Sequence, residues 1–176
     1  MDELMLLQPD EAHIPQIEAY RDEFPAGRMQ ATPDPDRIPG LDLLEAYPDV
    51  PGWLRGCESM RGKISWYLTV RKKDGRMVGC CCLRHSLAYD DDDEDFASHI
   101  GYSIRPSEQR KGYAKEQLRL LLLEAKRMGM PRVRLVCRDV NEGSIRAILA
   151  NGGQYVDSIR GEESGMVIRR YDIPLL

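Results

Sequence analysis

Residues Ile100 to Leu118 read I-G-Y-S-I-R-P-S-E-Q-R-K-G-Y-A-K-E-Q-L, and the change of rhythm inside this stretch decides how the chain is built. His99 to Arg105 (H-I-G-Y-S-I-R) is a strand-forming run that stops at Pro106, which cannot donate to a ladder. From Gly112 the period becomes helical. Ala114, Leu118, Leu121, Leu122 and Ala125 follow the i, i+4, i+7, i+8, i+11 template, while Lys115, Glu116, Arg119 and Lys126 lie elsewhere around the helix. Gly129 and Pro131 end it. Gly112 lets the chain turn tightly with no Cβ in the way, leaving consecutive N–H groups open at the helix start. Such donors, with the helix dipole, suit a phosphate or pyrophosphate, and Arg110, Lys111 and Lys115 add positive charge there. An ordinary turn carrying solvated bases is the competing reading of the same residues.

Upstream, Ile64 to Arg71 and Met77 to Arg84 are β-rich runs joined by Lys72-Lys73-Asp74-Gly75-Arg76, whose Asp-Gly marks a hairpin. With His99 to Arg105 they predict three antiparallel strands in a row. Met5 to Gln8 reads as a strand stopped at Pro9, and Asp10 to Phe24 as a capped helix with Ile14, Ile17 and Tyr20 on one face. Residues 25–52 contain six prolines and are expected to be largely irregular, with a short helix at Leu41 to Tyr47. Downstream come a strand at Arg132 to Cys137 and a helix at Glu142 to Ala150, closed by Asn151-Gly152-Gly153. A final hairpin is expected from Gln154 to Ile159 and Met166 to Tyr171. The order β α β β β α β α β β predicts an α+β, mixed-sheet domain covering residues 1–176.

The chain has 176 residues, 42% hydrophobic and 31% charged, which fits one globular domain and excludes collagen-like, disordered and membrane-spanning classes. No apolar run reaches the roughly 18 to 20 residues of a membrane span, and Met1-Asp2-Glu3-Leu4 does not start a secretory signal. A cytoplasmic protein is expected. Five cysteines (Cys57, Cys80, Cys81, Cys82, Cys137), an odd number without C-x-x-C spacing, argue against a disulfide framework or a zinc site. The triplet Cys80-Cys81-Cys82 reads as small hydrophobes on alternate faces of a strand, a redox role being the lesser reading.

The net charge of −4 is unevenly spread. Residues 1–50 hold 12 acids and 3 bases, whereas residues 105–138 hold 10 bases and 3 acids. That asymmetry points to a local anionic ligand. Nucleic acid is the rival partner, but the chain is acidic overall, is only 7% aromatic and carries no nucleic-acid-binding motif. A phosphate-bearing small molecule fits better.

Gln109-Arg110-Lys111-Gly112-Tyr113-Ala114 resembles the Q/R-x-x-G-x-G/A signature of the GNAT acyltransferases, and the strand ending in Arg105-Pro106 fits as well. Asn141-Glu142-Gly143-Ser144 and Asn151-Gly152-Gly153 look like further elements of that family, and the resemblance runs over nearly the whole chain. It implies a GNAT-like fold whose central, mostly antiparallel sheet has a splayed strand pair. It also implies an acetyl-CoA-dependent N-acetyltransferase in which a primary amine attacks the thioester directly. The residues it places on acetyl-CoA are Ile104, Arg105, Gln109, Arg110, Lys111, Gly112, Tyr113, Ala114, Lys115 and Asn141. The backbone N–H groups of Arg110 to Ala114 are expected on the pyrophosphate.

Many members place an acidic tyrosine seven residues after the Asn, and here that position is Ile148. Ser144, Tyr155 or Tyr171 could replace it, or water could suffice. His99, on the same strand face as Gly101 and Ser103, is the candidate base, since imidazole titrates in the useful range. A satisfied core or surface histidine is the bland alternative. The run Asp90-Asp91-Asp92-Asp93-Glu94-Asp95 could draw in a cationic amine, which makes a small cationic acceptor the expectation, although such runs are commonly solvated loops. Trp53, Trp66 and Tyr67 could line an acceptor pocket, Trp66 fitting the core better. No metal is expected, and the terminal hairpin could pair chains as a homodimer. The rival function is a non-catalytic acyl-CoA-binding or sensor protein, for which Ile148 argues.

Overall fold

In the computed structural model, residues 2–24, 38–87, 97–161 and 165–176 are described. The acidic run at 90–95 lies outside them. Strand β1 (Leu4–Leu7) precedes a 3-10 turn at Glu11–His13 and helix α1 (Ile14–Asp22). Asp10 caps the turn by accepting the Ala12 N–H at 2.9 Å, as the sequence expectation of a capped helix requires. Of the face Ile14, Ile17 and Tyr20, the last two are buried.

Between 38 and 60 the structure departs from expectation. Leu44–Ala46 is a single 3-10 turn, shorter than the helix expected at 41–47. Val50–Ser59 forms a full helix, α2, inside and beyond the stretch expected to be irregular. Pro51 and Gly52 argued for a loop, yet proline is tolerated in a helix's first turn, where its missing donor is not needed. Asp49 caps α2 through the Gly52 N–H at 2.7 Å, and Val50 and Trp53 bury its inner face. Packing decided the segment.

The hairpin β2 (Ile64–Arg71) and β3 (Arg76–Arg84) forms as expected, followed by β4 (Ile100–Ile104), α3 (Tyr113–Arg127), β5 (Arg132–Arg138), α4 (Glu142–Ala150), β6 (Gln154–Arg160) and β7 (Val167–Pro174). One sheet has the order β1-β2-β3-β4, all antiparallel; the other has β5-β7-β6, with β7 between its two neighbours. The element order expected from the sequence is the order observed, with α2 added between α1 and β2. No described helix is long and apolar enough to cross a membrane.

Two apolar clusters cover opposite sheet faces. Ile17, Tyr20, Val50, Trp53, Trp66, Cys80 and Cys82 belong to the first, beneath α1 and α2. Tyr67, Cys81, Leu83, Ile100, Leu118, Leu121, Leu135 and Ile148 belong to the second, beneath α3 and α4. The cysteine triplet thus alternates between faces, all three side chains fully buried, and burial pushes each thiol up. Trp53 and Trp66 meet edge to face at 6.3 Å inside the first cluster and Tyr67 lies in the second, so these rings serve packing. Gly153 is needed where α4 ends, since a Cβ there would lie 2.3 Å from Ile148 Cγ2 and 2.9 Å from its carbonyl oxygen.

Candidate active site

The site begins with the hydrogen bonds that β4 does not make. Arg84 N–H donates to His99 O at 2.7 Å and Arg105 N–H to Val78 O at 2.8 Å. Antiparallel bonds recur at every second residue, so the odd-numbered residues of β4 bond β3. Ile100, Tyr102 and Ile104 therefore turn their backbone groups to the other edge. Just before β4 the alternation breaks: His99 N–H donates to Arg134 O at 2.9 Å and Arg134 N–H donates to His99 Nδ1 at 2.8 Å, which ties β4 to β5.

Beyond this point the ladder is broken and the two sheets part. The strands touch near their starts, at His99 and Arg134, and Tyr102 reaches Ser144 past the end of β5. They therefore run in the same direction around the α3 crossover, opening towards their C-terminal ends. Ile100 is answered by Ser98 Oγ and Ile104 O by Gln109 Nε2 at 3.2 Å. Among the described residues the N–H and C=O of Tyr102 and the N–H of Ile104 have no partner, and a single extended chain could add there as an amide-bearing strand.

Past β4 the chain makes a 3-10 turn (Pro106–Glu108), and then Arg110 (φ +65°) and Gly112 (φ +83°) both adopt left-handed backbone before α3 starts. No side chain caps α3, and the N–H groups of residues 110–115 have no acceptor among the described residues. A concave set of donors at a helix start is an anion receptor. Arg110 and Lys115 have no ion partner among the described residues, whereas Lys111 Nζ is drawn 2.7 Å from Glu108.

Glu108, which sequence reasoning passed over, anchors this turn. Its side chain is only 6% exposed and meets Arg71 at 3.0 Å, Arg76 at 2.8 Å and Lys111. Burial pushes its carboxyl up, but the Lys111 hydrogen bond and the charges of Arg71, Lys111 and Arg76 outweigh that and hold it below the ordinary range. From the other side Glu23 accepts Arg105 at 2.8 Å and Ser107 Oγ at 2.8 Å. Arg105 also lies over the Tyr20 ring. Its N–H bonds Val78 O and its Nη1 bonds Glu23, while its buried Nε has no hydrogen-bond partner. Tyr113 contributes its N–H to the receptor, while its ring is buried and its hydroxyl binds Asp2 and Arg71. Ala114 is half-buried at the next helix position.

On the far bank, Asn141 Oδ1 caps α4 by accepting the Ser144 N–H at 3.1 Å. Ser144 Oγ lies 2.7 Å from the Tyr102 hydroxyl, so this pair bridges the splayed elements on the α3/α4 side. Burial raises the Tyr102 pKa, keeping the phenol protonated. Ile148 is fully buried in the second cluster, Tyr171 is buried there too, and Tyr155 is exposed beside Ser158. Of the expected substitute acids, Ser144 is the one joined to β4, through the Tyr102 hydroxyl. Tyr102 was missed because a strand tyrosine reads as packing; its even position, opposite in parity to Gly101 and Ser103, was the available signal.

His99 does not suit the role of base. Its Nδ1 lone pair is occupied by the Arg134 N–H, which leaves the proton on Nε2, a donor. Burial, then the charges of Arg132 and Arg134, push the imidazole down to about 4. The residue pins the two sheets together. Because its pKa is depressed in the fold, its contribution is whole above the free value of 6.5 and is lost as pH falls towards 4. The protein should lose thermal stability across that window and His99→Gln should lose less of it, while the pH–rate profile of the variant between pH 6 and 8 keeps its shape. A profile that flattens would restore His99 as a base.

The sequence profile of an acetyltransferase (GNAT) domain matches residues 3–154. The structure resembles that of an acetyltransferase from Salmonella typhimurium that modifies the N-terminal serine of ribosomal protein L7/L12. The TM-score is 0.71 at 20% identity, covering 97% of this chain and 94% of that one. RimL, a ribosomal L7/L12 α-N-protein acetyltransferase in complex with coenzyme A, gives 0.75 at 20% identity over 97% and 93%. The Salmonella typhimurium protein YncA with acetyl-CoA gives 0.70 at 18% identity over 98% and 94%. No curated protein matches the sequence.

Proposed function

This chain belongs to the GNAT acetyltransferase family, with acetyl-CoA as acetyl donor, and we propose that it acetylates a primary amine by direct attack, both substrates being bound together. The observation that carries this reading is the uncapped turn at 109–114, with left-handed Arg110 and Gly112, set beside the unpaired edge of β4. The donors at 110–114 and the cations Arg110 and Lys115 match a pyrophosphate; the free Tyr102 and Ile104 groups match the amides of a pantetheine arm. Bound acetyl-CoA supplies an activated acyl group on a thiolate leaving group.

The residues of this chain orient, donate and exclude. The amine's nitrogen forms a bond to the acetyl carbon, the carbon–sulfur bond breaks, and the amine's surplus proton ends on the sulfur. The open Tyr102 N–H is a donor for the carbonyl oxygen as charge develops on it. Ser144, held by Tyr102, offers its hydroxyl to the departing sulfur, in place of the acid that Ile148 cannot be. Amino-terminal acetylation, the activity named for two structural relatives at 20% identity, is included among the amine acceptors to be tried.

The test is release of free CoA thiol from acetyl-CoA on addition of a panel of amines, with the acetylated product identified by mass. Amine-dependent release is the expected result. Saturable acetyl-CoA binding with no transfer to any amine would favour the sensor reading instead.

A further inference from the structure

The α1/α2-side face of the second sheet carries a charge pattern that the acetyl-transfer reading leaves unused. Val133, Leu135 and Cys137 point into the second cluster, so Arg132, Arg134, Val136 and Arg138 point to the opposite face. The register adds Arg170 and Asp172 of β7 and Asp157 of β6 to that face. It is continuous with the face of β4 that bears Gly101 and Ser103, because Ile100 and Leu135 share the second cluster. Ile168, paired with Arg138 across the ladder, is buried on the same face.

Three of its four arginines are matched to its two aspartates. Arg132 and Arg134 hold Asp172, the latter at 2.9 Å, and Arg170 holds Asp157 at 2.5 Å. Arg138 has no ion pair among the described residues, and its Nε, shielded from solvent, has no hydrogen-bond partner. A shielded guanidinium N–H without an acceptor is costly unless a ligand provides one. Its place is also informative. Four residues on from the His99–Arg134 contact, Arg138 stands level with Ser103 across the opening, the side from which the acetyl-transfer reading brings the acceptor.

We propose that Arg138 is a specificity-determining residue that binds a carboxylate carried by the acceptor, so that the amine acetylated belongs to an anionic molecule. This rests on the acetyl-transfer reading and sharpens it. It also replaces the small cationic acceptor expected from the run at 90–95, which lies outside the described residues. The planar fork of arginine suits bidentate capture of a carboxylate. The same chemistry is offered by an acidic amino acid and by the free amino terminus of an acidic peptide.

Three peptides distinguish the charge requirement: Ser-Asp-Asp-Ala-amide, Ser-Ala-Ala-Ala-amide and Ser-Lys-Lys-Ala-amide. Free aspartate and glutamate distinguish the small-molecule source. Each is measured as an acceptor with the wild type, Arg138→Gln and Arg138→Lys, and each is titrated into the protein without acetyl-CoA. Acidic acceptors should bind and react best, with Arg138→Gln raising their KM and Kd at least about tenfold while the KM for acetyl-CoA moves less than twofold. Arg138→Lys should recover part of the loss, which a merely structural role would not produce. Equal or better use of the lysine peptide, or a KM that rises alike for all three peptides, overturns the proposal. If no amine is acetylated, acetyl transfer has failed as a reading. The titrations still decide about Arg138, because Arg138-dependent binding of acidic probes supports its role and its absence refutes it.

Discussion

Gly112→Glu should weaken acetyl-CoA binding by at least about 100-fold in a calorimetric titration, the largest effect expected of any single substitution in this chain. Two costs add. Gly112 sits at φ +83°, where a residue with a Cβ is disfavoured by about 1–2 kcal/mol. The new carboxylate also places negative charge at the uncapped start of α3, where an anion is to be received. A loss of about 2.8 kcal/mol corresponds to about 100-fold in Kd. Gly112→Ala, which carries only the backbone cost, should lose about 10-fold, and 3′-dephospho-CoA should retain the dependence on Gly112 if the pyrophosphate is the group held there. Equal affinity of the glutamate variant and the wild type would remove the turn at 109–114 from the binding site.

Ser144→Ala should lower kcat by about 100-fold with little change in the KM for acetyl-CoA, as removal of a proton donor to the leaving group requires. Tyr102→Phe keeps the ring in the second cluster and deletes only the hydroxyl that lies 2.7 Å from Ser144 Oγ. It should therefore cost less, about 10-fold, by freeing the serine to rotate. The double variant should be no slower than Ser144→Ala alone, because a hydroxyl whose task is to orient another has nothing left to orient. Additive losses would show two independent contributions, and an unchanged kcat in Ser144→Ala would leave protonation of the thiolate to water.

Legibility differed between the two halves of the site. The turn at 109–114 could be read locally, since Pro106 stops a strand, Gly112 permits a left-handed residue and the apolar period resets at Ala114. The left-handed conformation of Arg110 carried no such mark, because arginine does not prefer it. His99 shows the opposite error. Its lone pair is claimed by a backbone N–H 35 residues away, a contact no local pattern encodes. Glu108 read as one more charge in a polar turn, and its importance comes from Arg71 and Arg76 of a different hairpin. Helix α2 was overlooked because Pro51, Gly52 and Gly56 weaken intrinsic propensity, which burial of Val50 and Trp53 outweighs.

Periodicity and turn residues were enough to establish the order of the strands and the strand-to-helix junction, and the resemblance of residues 109–114 to the family signature implied acetyl-CoA, since each depends on residues a few positions apart. The pairing of Tyr102 with Ser144 and the isolation of the Arg138 Nε depended on how β4 and β5 part and on the insertion of β7 between β5 and β6. Those features arise from contacts between segments far apart in the chain, where partner and register are chosen by burial and hydrogen bonding across the whole sheet and not by any local preference.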